Sequence, residues 1–125
     1  MTGELLTMVE RDVLAWPGVT RAPGRFGGIA YMVGRREIGH VHPPSLADFG
    51  FPRAVREELI QSGRAIPHHA LPNSRTAASY WIRDRADVAG AVALFRLNYE
   101  RATGGASGDG SRATAGDAAR SGDAA

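Results

Sequence analysis

Hydrophobic positions recur at helical spacing in three segments of this chain. The first, Leu5 to Leu14, ends at Trp16-Pro17-Gly18, and the second runs from Phe51-Pro52 to Ile60 with Gly63 as its stop. The third begins after Asp84, whose side chain can accept hydrogen bonds from the free N–H groups of a helix start. Its apolar stripe consists of Val88, Ala91, Val92, Phe95 and Tyr99. Three amphipathic helices are therefore expected.

The segments between these helices have the short apolar runs and turn residues that are typical of strands. Gly34-Arg35 would turn one strand into the next as a hairpin. Strands are expected at residues 19–22, 29–33, 36–42, 64–69 and 77–83. This order predicts an α+β fold, in which a small antiparallel sheet of four to five strands has three helices packed mainly on one face.

Composition divides the chain into a folded part and a tail. Residues 1–102 contain every large apolar side chain and are expected to form one domain. Residues 103–125 consist almost entirely of small and polar residues, which bury too little apolar surface to offset the entropy of ordering, so a disordered tail is predicted there. No apolar run approaches the ~20 residues of a membrane span, and the acidic N-terminal segment does not resemble a secretion signal. We therefore expect a cytoplasmic protein without a membrane partner.

The charged and nucleophilic residues narrow the classes of function. The chain has no cysteine, which excludes a disulfide framework, a thiolate zinc site and a cysteine nucleophile. It lacks the Gly-x-Ser-x-Gly motif of serine hydrolases. Every basic residue apart from histidine is arginine, but the net charge is only +2 and acidic residues are interspersed, which argues mildly against nucleic acid as a partner while leaving it open. The sequence leaves the oligomeric state open.

All four histidines fall in two short clusters, which suggests one site built from two distant segments. If residues 36–42 form a strand, His40 and His42 share one face and lie roughly 6.5–7 Å apart along it, while Glu37 lies on the other face. Because adjacent strand residues face opposite ways, only one of His68 and His69 is expected to join them. Three interpretations stay open: structural packing of these histidines, a histidine base in a metal-free pocket, or a weaker metal alternative using His40, His42 and His68.

Further residues are candidates for ligand contact near these histidines. Arg25 lies in the glycine-rich segment 24–28, which is not a phosphate loop, and its guanidinium could hold an anion. Asp48 could contribute a carboxylate, and Glu37 precedes the first histidine pair. Trp81 could line a pocket, although such aromatics more often belong to a core or its rim.

Five blocks of the chain, in their order, resemble the luciferase-domain family over about residues 5–101. The blocks are Trp16-Pro17-Gly18-Val19; Gly24-Arg25-Phe26-Gly27-Gly28; Glu37-Ile38-Gly39-His40-Val41-His42; Gly63-Arg64-Ala65 with Pro67-His68-His69; and Ala93-Leu94-Phe95-Arg96 with Tyr99. The chain departs from the family at Ser74-Arg75-Thr76, where a Ser-Gly-Trp-like step is expected. The family is mostly bacterial and includes fungal luciferase, which oxidises a hydroxylated pyrone with molecular oxygen.

The resemblance implies a domain that binds a small hydroxylated aromatic or enolic molecule. It further implies oxidoreductase chemistry of the metal-free oxygenase type, with no cofactor and with His40 or His42 as the base. The alternative is a non-catalytic module that binds nucleic acid or protein through its arginine-rich surface. The sequence leaves open whether the chain is an enzyme.

Overall fold

The computed structural model describes residues 3–104, and the three predicted helices are present in it. They are α1 (Glu4–Leu14), α2 (Arg53–Gln61) and α3 (Arg85–Ala102). Asp84 caps α3 as expected, because its carboxylate accepts a hydrogen bond from the backbone N–H of Asp87. A short 3-10 turn (Arg25–Gly27) lies between the first two strands. The predicted disordered tail lies outside the described residues from position 105 onward.

Among the described residues, the strands form one antiparallel sheet of six. They are β1 (Val19–Pro23), β2 (Ile29–Val33), β3 (Arg36–His42), β4 (Leu46–Gly50), β5 (Ile66–Pro67) and β6 (Ala77–Trp81). Their spatial order is β1-β2-β3-β4-β6-β5, and every neighbouring pair is antiparallel. The predicted α+β class is confirmed, and the sheet has one strand more than the four to five expected.

The additional strand is β4, which the sequence pattern did not indicate. Four consecutive residues of this strand, 46–49, are buried, so its side chains do not alternate between apolar and polar. The polar residue Asp48 also interrupts the apolar run. A strand that is covered on both faces lacks the period of two by which half-buried strands are recognised.

The helices α1 and α3 cover one face of the sheet. Phe95 of α3 packs edge-on against Phe49 of β4 and Tyr31 of β2, and all three belong to the core. Gly39 lies beneath Phe95 so closely that a Cβ at this position would be 2.5 Å from a ring carbon. Glycine is therefore needed at position 39 for β3 to approach α3.

The opposite face of the sheet carries polar residues. His40 on β3 lies directly opposite Asp48 on β4, which in turn lies directly opposite Ser79 on β6. Residues that face each other across a ladder project to the same side of a sheet. The three side chains therefore form one row across the sheet, on the side away from α3.

A β-bulge at Ile38 changes which residues of β3 share a face. Tyr31 pairs with Gly39 and Met32 pairs with Glu37, so Ile38 is the extra residue of β3. Ile38 is buried in the core, and Glu37 projects to the same side as His40. The prediction that Glu37 lies on the face opposite His40 was wrong, because a bulge shifts strand alternation by one residue.

Candidate functional site

The four histidines surround a single buried carboxylate, that of Asp48. The Nε2 atoms of His40, His42, His68 and His69 lie 3.5, 3.3, 3.4 and 2.9 Å from its Oδ2 atom. Asp48 is 1% exposed, whereas each of the four imidazoles keeps part of its surface open to solvent. We call these five residues the His–Asp cluster. The two histidine segments of the sequence therefore meet at one place.

Hydrogen bonds to the neighbouring strand fix the position of Asp48. The Ser79 hydroxyl donates to Oδ1 of Asp48 at 2.5 Å, and the same hydroxyl oxygen accepts the backbone N–H of His69 at 3.0 Å. Because β4 pairs with both β3 and β6, the carboxylate lies between the strand that carries His40 and His42 and the segment that carries His68 and His69. Oδ1 is thus occupied by Ser79, and Oδ2 faces the imidazoles.

Both His68 and His69 belong to the cluster, which corrects the expectation that only one would. Strand β5 ends at Pro67, so the alternation of side chains no longer applies to the two residues that follow. Their rings stack with a centroid separation of 4.5 Å and an angle of 26° between their planes. Two adjacent imidazoles in a bend can therefore approach the same carboxylate.

Glu37 is hydrogen-bonded to the ring nitrogen of His40 that does not face Asp48. Its Oε2 atom lies 2.7 Å from Nδ1 of His40, so the imidazole stands between two carboxylates. The contact with Asp48 and the hydrogen bond to Glu37 outweigh partial burial and raise the pKa of His40 to about 9. While this proton stays in place His40 cannot act as a base, and a metal ion could bind its Nε2 atom only by displacing the proton.

The tautomer of His68 follows from its backbone contacts. Its Nδ1 atom accepts hydrogen bonds from the N–H groups of Ala70 and Leu71, each at 3.1 Å. Nδ1 therefore carries no proton, and in the neutral ring the proton sits on Nε2, which faces Asp48. Partial burial lowers the pKa of His68 and so favours the neutral ring. The Nε2 atom of His68 thus presents its proton toward the carboxylate, 3.4 Å from Oδ2.

The carboxylate of Asp48 is held in its ionised form. Burial pushes the pKa of Asp48 upward, but the contacts with His40 and Ser79 and the electrostatic influence of the nearby His68 and His69 rings outweigh it and lower the pKa. A buried anion is tolerable in a protein only where such partners compensate the loss of water. The cluster supplies that compensation.

The other residues predicted to contact a ligand are Glu37, Trp81 and Arg25, and only Glu37 touches the cluster directly. Glu37 touches His40 directly. Trp81 lies two residues beyond Ser79 on the same face of β6, with the Arg83 guanidinium 5.5 Å from its ring centre. Arg25 is exposed, and within residues 3–104 no hydrogen bond or ion pair joins it to the cluster.

Exposed apolar residues flank the cluster, a feature that sequence patterns did not single out. Ile66 lies opposite Ser79 in the sheet, and Leu71 donates its backbone N–H to His68. Phe26 is 94% exposed in the turn 24–28, whose Gly28 approaches His42 so closely that a Cβ there would lie 3.0 Å from the ring. These three are most of the large hydrophobic residues exposed within the described chain, and the fourth, Leu14, lies on α1. We call Phe26, Ile66 and Leu71 the apolar rim.

The cluster has two chemical capacities. His69 and Asp48 form a hydrogen-bonded pair, in which the carboxylate can orient the ring and support a proton on it. Two sets of three residues also place their nitrogen and oxygen atoms within 4.8 Å of one another, as metal ligands do: His40, His42 and Asp48, and Asp48, His68 and His69. The expectation that no metal binds stays a prediction.

Comparison with known proteins supports the resemblance seen in the sequence. The family model named Luciferase domain matches residues 35–98, more than half of the chain and the part that contains the whole His–Asp cluster. No curated protein and no solved structure matches the chain. No helix of residues 3–104 is long and apolar enough to cross a membrane. The match establishes the family without assigning an activity, and the chain belongs to the Luciferase domain family.

Proposed function

We propose that this domain binds a small organic molecule with an ionisable hydroxyl group at the His–Asp cluster. The observation that carries the proposal is the combination of four partly exposed imidazoles on one buried carboxylate with an apolar rim beside them. Ligand sites combine an apolar lining with a few convergent polar groups in this way. A hydroxylated aromatic or enolic molecule would satisfy both features.

His69 is the group best suited to take the proton from such a ligand. Its Nε2 donates to Asp48 at 2.9 Å, which leaves the second ring nitrogen to accept a proton. It is also the most exposed of the four rings, at 35% of its side chain. The carboxylate stabilises the imidazolium that forms, as in other carboxylate–histidine pairs.

The oxidation that the family suggests would follow this proton transfer. The anion of the ligand is electron-rich, and a carbon–oxygen bond to molecular oxygen can form with its electron pair. The resulting peroxide anion then takes back the proton held on His69, so that no external reductant is needed. A location in the cytoplasm and an oxidoreductase activity are parts of this proposal.

The test uses 7-hydroxycoumarin, whose neutral and phenolate forms absorb at different wavelengths. We expect the wild-type chain to bind the probe and to raise the phenolate fraction below the pKa of the free phenol. His69→Gln should bind the probe but lose the excess phenolate, since an amide cannot accept the proton. An equal phenolate fraction in the two proteins would refute the role of His69.

A matched pair of variants tests the apolar rim. Phe26→Ser should weaken binding of the probe by about 5- to 30-fold, the equivalent of ~1–2 kcal/mol of lost apolar contact. Leu14→Ser changes an exposed hydrophobic residue on α1 and should leave binding unchanged. If both variants bind as the wild type does, the rim is not part of the site.

A further inference from the structure

We infer that His40, His42 and Asp48 form a binding site for a divalent transition-metal ion. This inference does not depend on the organic ligand proposed above, because it rests on the ligand atoms alone. The Nε2 atoms of His40 and His42 lie 3.5 and 3.3 Å from Oδ2 of Asp48. With metal–ligand bonds of about 2.1 Å and angles between 90° and 109°, neighbouring ligand atoms are about 3.0–3.4 Å apart. The separation to His42 falls within this range and the separation to His40 lies just above it, and the ligand atoms of all three residues lie within 4.8 Å of one another.

Oδ2 of Asp48 has too few lone pairs to accept a hydrogen bond from every imidazole that faces it. Oδ1 of Asp48 is occupied by Ser79, and Oδ2 offers about two lone-pair positions. The N–H of His69 takes one of them at 2.9 Å, and it alone among the four imidazoles meets hydrogen-bond geometry with Asp48. His40 and His42 therefore point their Nε2 atoms at an oxygen that lacks room for both. A cation between these three atoms would satisfy all of them at once.

The contacts around the cluster indicate which residues would bind the metal ion and which would only orient those ligands. The Nδ1 atom of His40 is bonded to Glu37, the arrangement in which a carboxylate orients a metal-bound imidazole and strengthens it as a ligand. The alternative set, Asp48 with His68 and His69, is excluded by the tautomer of His68, whose Nε2 carries its proton. His68 instead lies beside Asp48, with its Nε2 atom 3.4 Å from Oδ2.

Two imidazoles and one carboxylate leave coordination positions open. This donor set suits iron(II), cobalt(II) or zinc(II) and differs from the all-oxygen sites of calcium and magnesium. The rings of His40 and His42 are partly exposed on the side of the sheet away from α1 and α3, so the open positions face solvent. Sites with three protein ligands and open positions are those at which metals bind and activate further molecules.

The test loads the full chain, stripped with a chelator, with cobalt(II) and with zinc(II). We expect about one ion per chain by elemental analysis and a visible cobalt absorption band typical of nitrogen and oxygen ligands. His42→Gln should abolish the band, whereas His68→Gln should keep one ion per chain with an affinity lowered by about 10- to 100-fold, since His68 supports a ligand without being one. Glu58→Gln, an exposed carboxylate on α2 that pairs with Arg64, serves as the control and should bind as the wild type does.

Three outcomes would overturn the inference. They are a stripped chain that takes up no cobalt, a His42→Gln variant that binds as tightly as the wild type, and a His68→Gln variant that loses binding as completely as His42→Gln. Circular dichroism verifies that each variant is folded, and His40→Gln replaces His42→Gln if the latter is not. A wild-type chain that binds 7-hydroxycoumarin but takes up no cobalt would refute the metal site and leave the proposed function standing.

Discussion

Asn98 links the helix α3 to the bulge that aims His40, and its replacement should destabilise the domain measurably. Its amide nitrogen donates to the carbonyl oxygens of Ile38 at 3.2 Å and Gly50 at 2.9 Å. Asn98 is 4% exposed, and Ile38 is fully buried at the bulge. The side chain therefore ties the irregular point of β3 and the end of β4 to the same helical turn.

The cost of Asn98→Ala follows from what each carbonyl loses. The buried carbonyl of Ile38 is left without its partner, which costs about 1–3 kcal/mol. Gly50 is exposed, so its carbonyl oxygen can bind water instead. Losing the hydrogen bond from Asn98 to this carbonyl therefore costs about 0.5–1.5 kcal/mol of stability. The better helix propensity of alanine returns about 0.5 kcal/mol. We therefore expect the free energy of unfolding to fall by about 1–4 kcal/mol.

Urea unfolding followed by circular dichroism measures this change. Glu100→Ala, on the same helix, removes only an exposed ion pair with Arg96 and should shift the free energy by less than about 0.5 kcal/mol. Cobalt affinity should also decrease in Asn98→Ala, because the bulge places Glu37 behind His40. A variant that is as stable as Glu100→Ala would refute the argument that Asn98 holds the bulge.

Two further predictions concern the core beneath the site. Gly39→Ala should destabilise the domain by about 2 kcal/mol or more in the same unfolding assay, since its Cβ would lie 2.5 Å from Phe95. The control is Gly50→Ala, whose Cβ meets no atom within 4 Å and which should be tolerated. Burial and a hydrogen bond to the Glu10 carboxylate raise the pKa of Tyr31, so the folded state keeps this proton more tightly than the unfolded chain. Its contribution to stability is complete below the ordinary tyrosine pKa of about 10 and is lost as the pH rises above it. The stability of Tyr31→Phe should therefore decline less steeply above pH ~10, and parallel declines in the two proteins would contradict this.

The regular elements were predictable because each has a local signal. Asp84 marked the start of α3 through its capping side chain, and Arg36–His42 matches the strand that the hairpin pattern predicted. Local spacing was sufficient there because the period of a helix or a half-buried strand is set by neighbours in sequence.

The arrangement of the site was less predictable because it depends on irregular backbone and on long-range pairing. A bulge at Ile38 brought Glu37 to His40, and a bend after Pro67 allowed both following histidines to reach the carboxylate. Asp48 was one option among several in the sequence, and only the pairing of β4 with both β3 and β6 places it centrally. Nothing in residues 46–50 alone encodes that pairing.

The position of the His–Asp cluster on the face away from α1 and α3 separates its chemistry from the stability of the core. His40 and His42 alternate with Gly39 and Val41, which face the core, so their rings can be changed without opening a cavity beneath Phe95. Asp48 is different, because it is fully buried and ionised and its partners are what make that tolerable. Substitutions at the two histidines should therefore report on ligand and metal binding, whereas substitutions at Asp48 would alter folding and binding together.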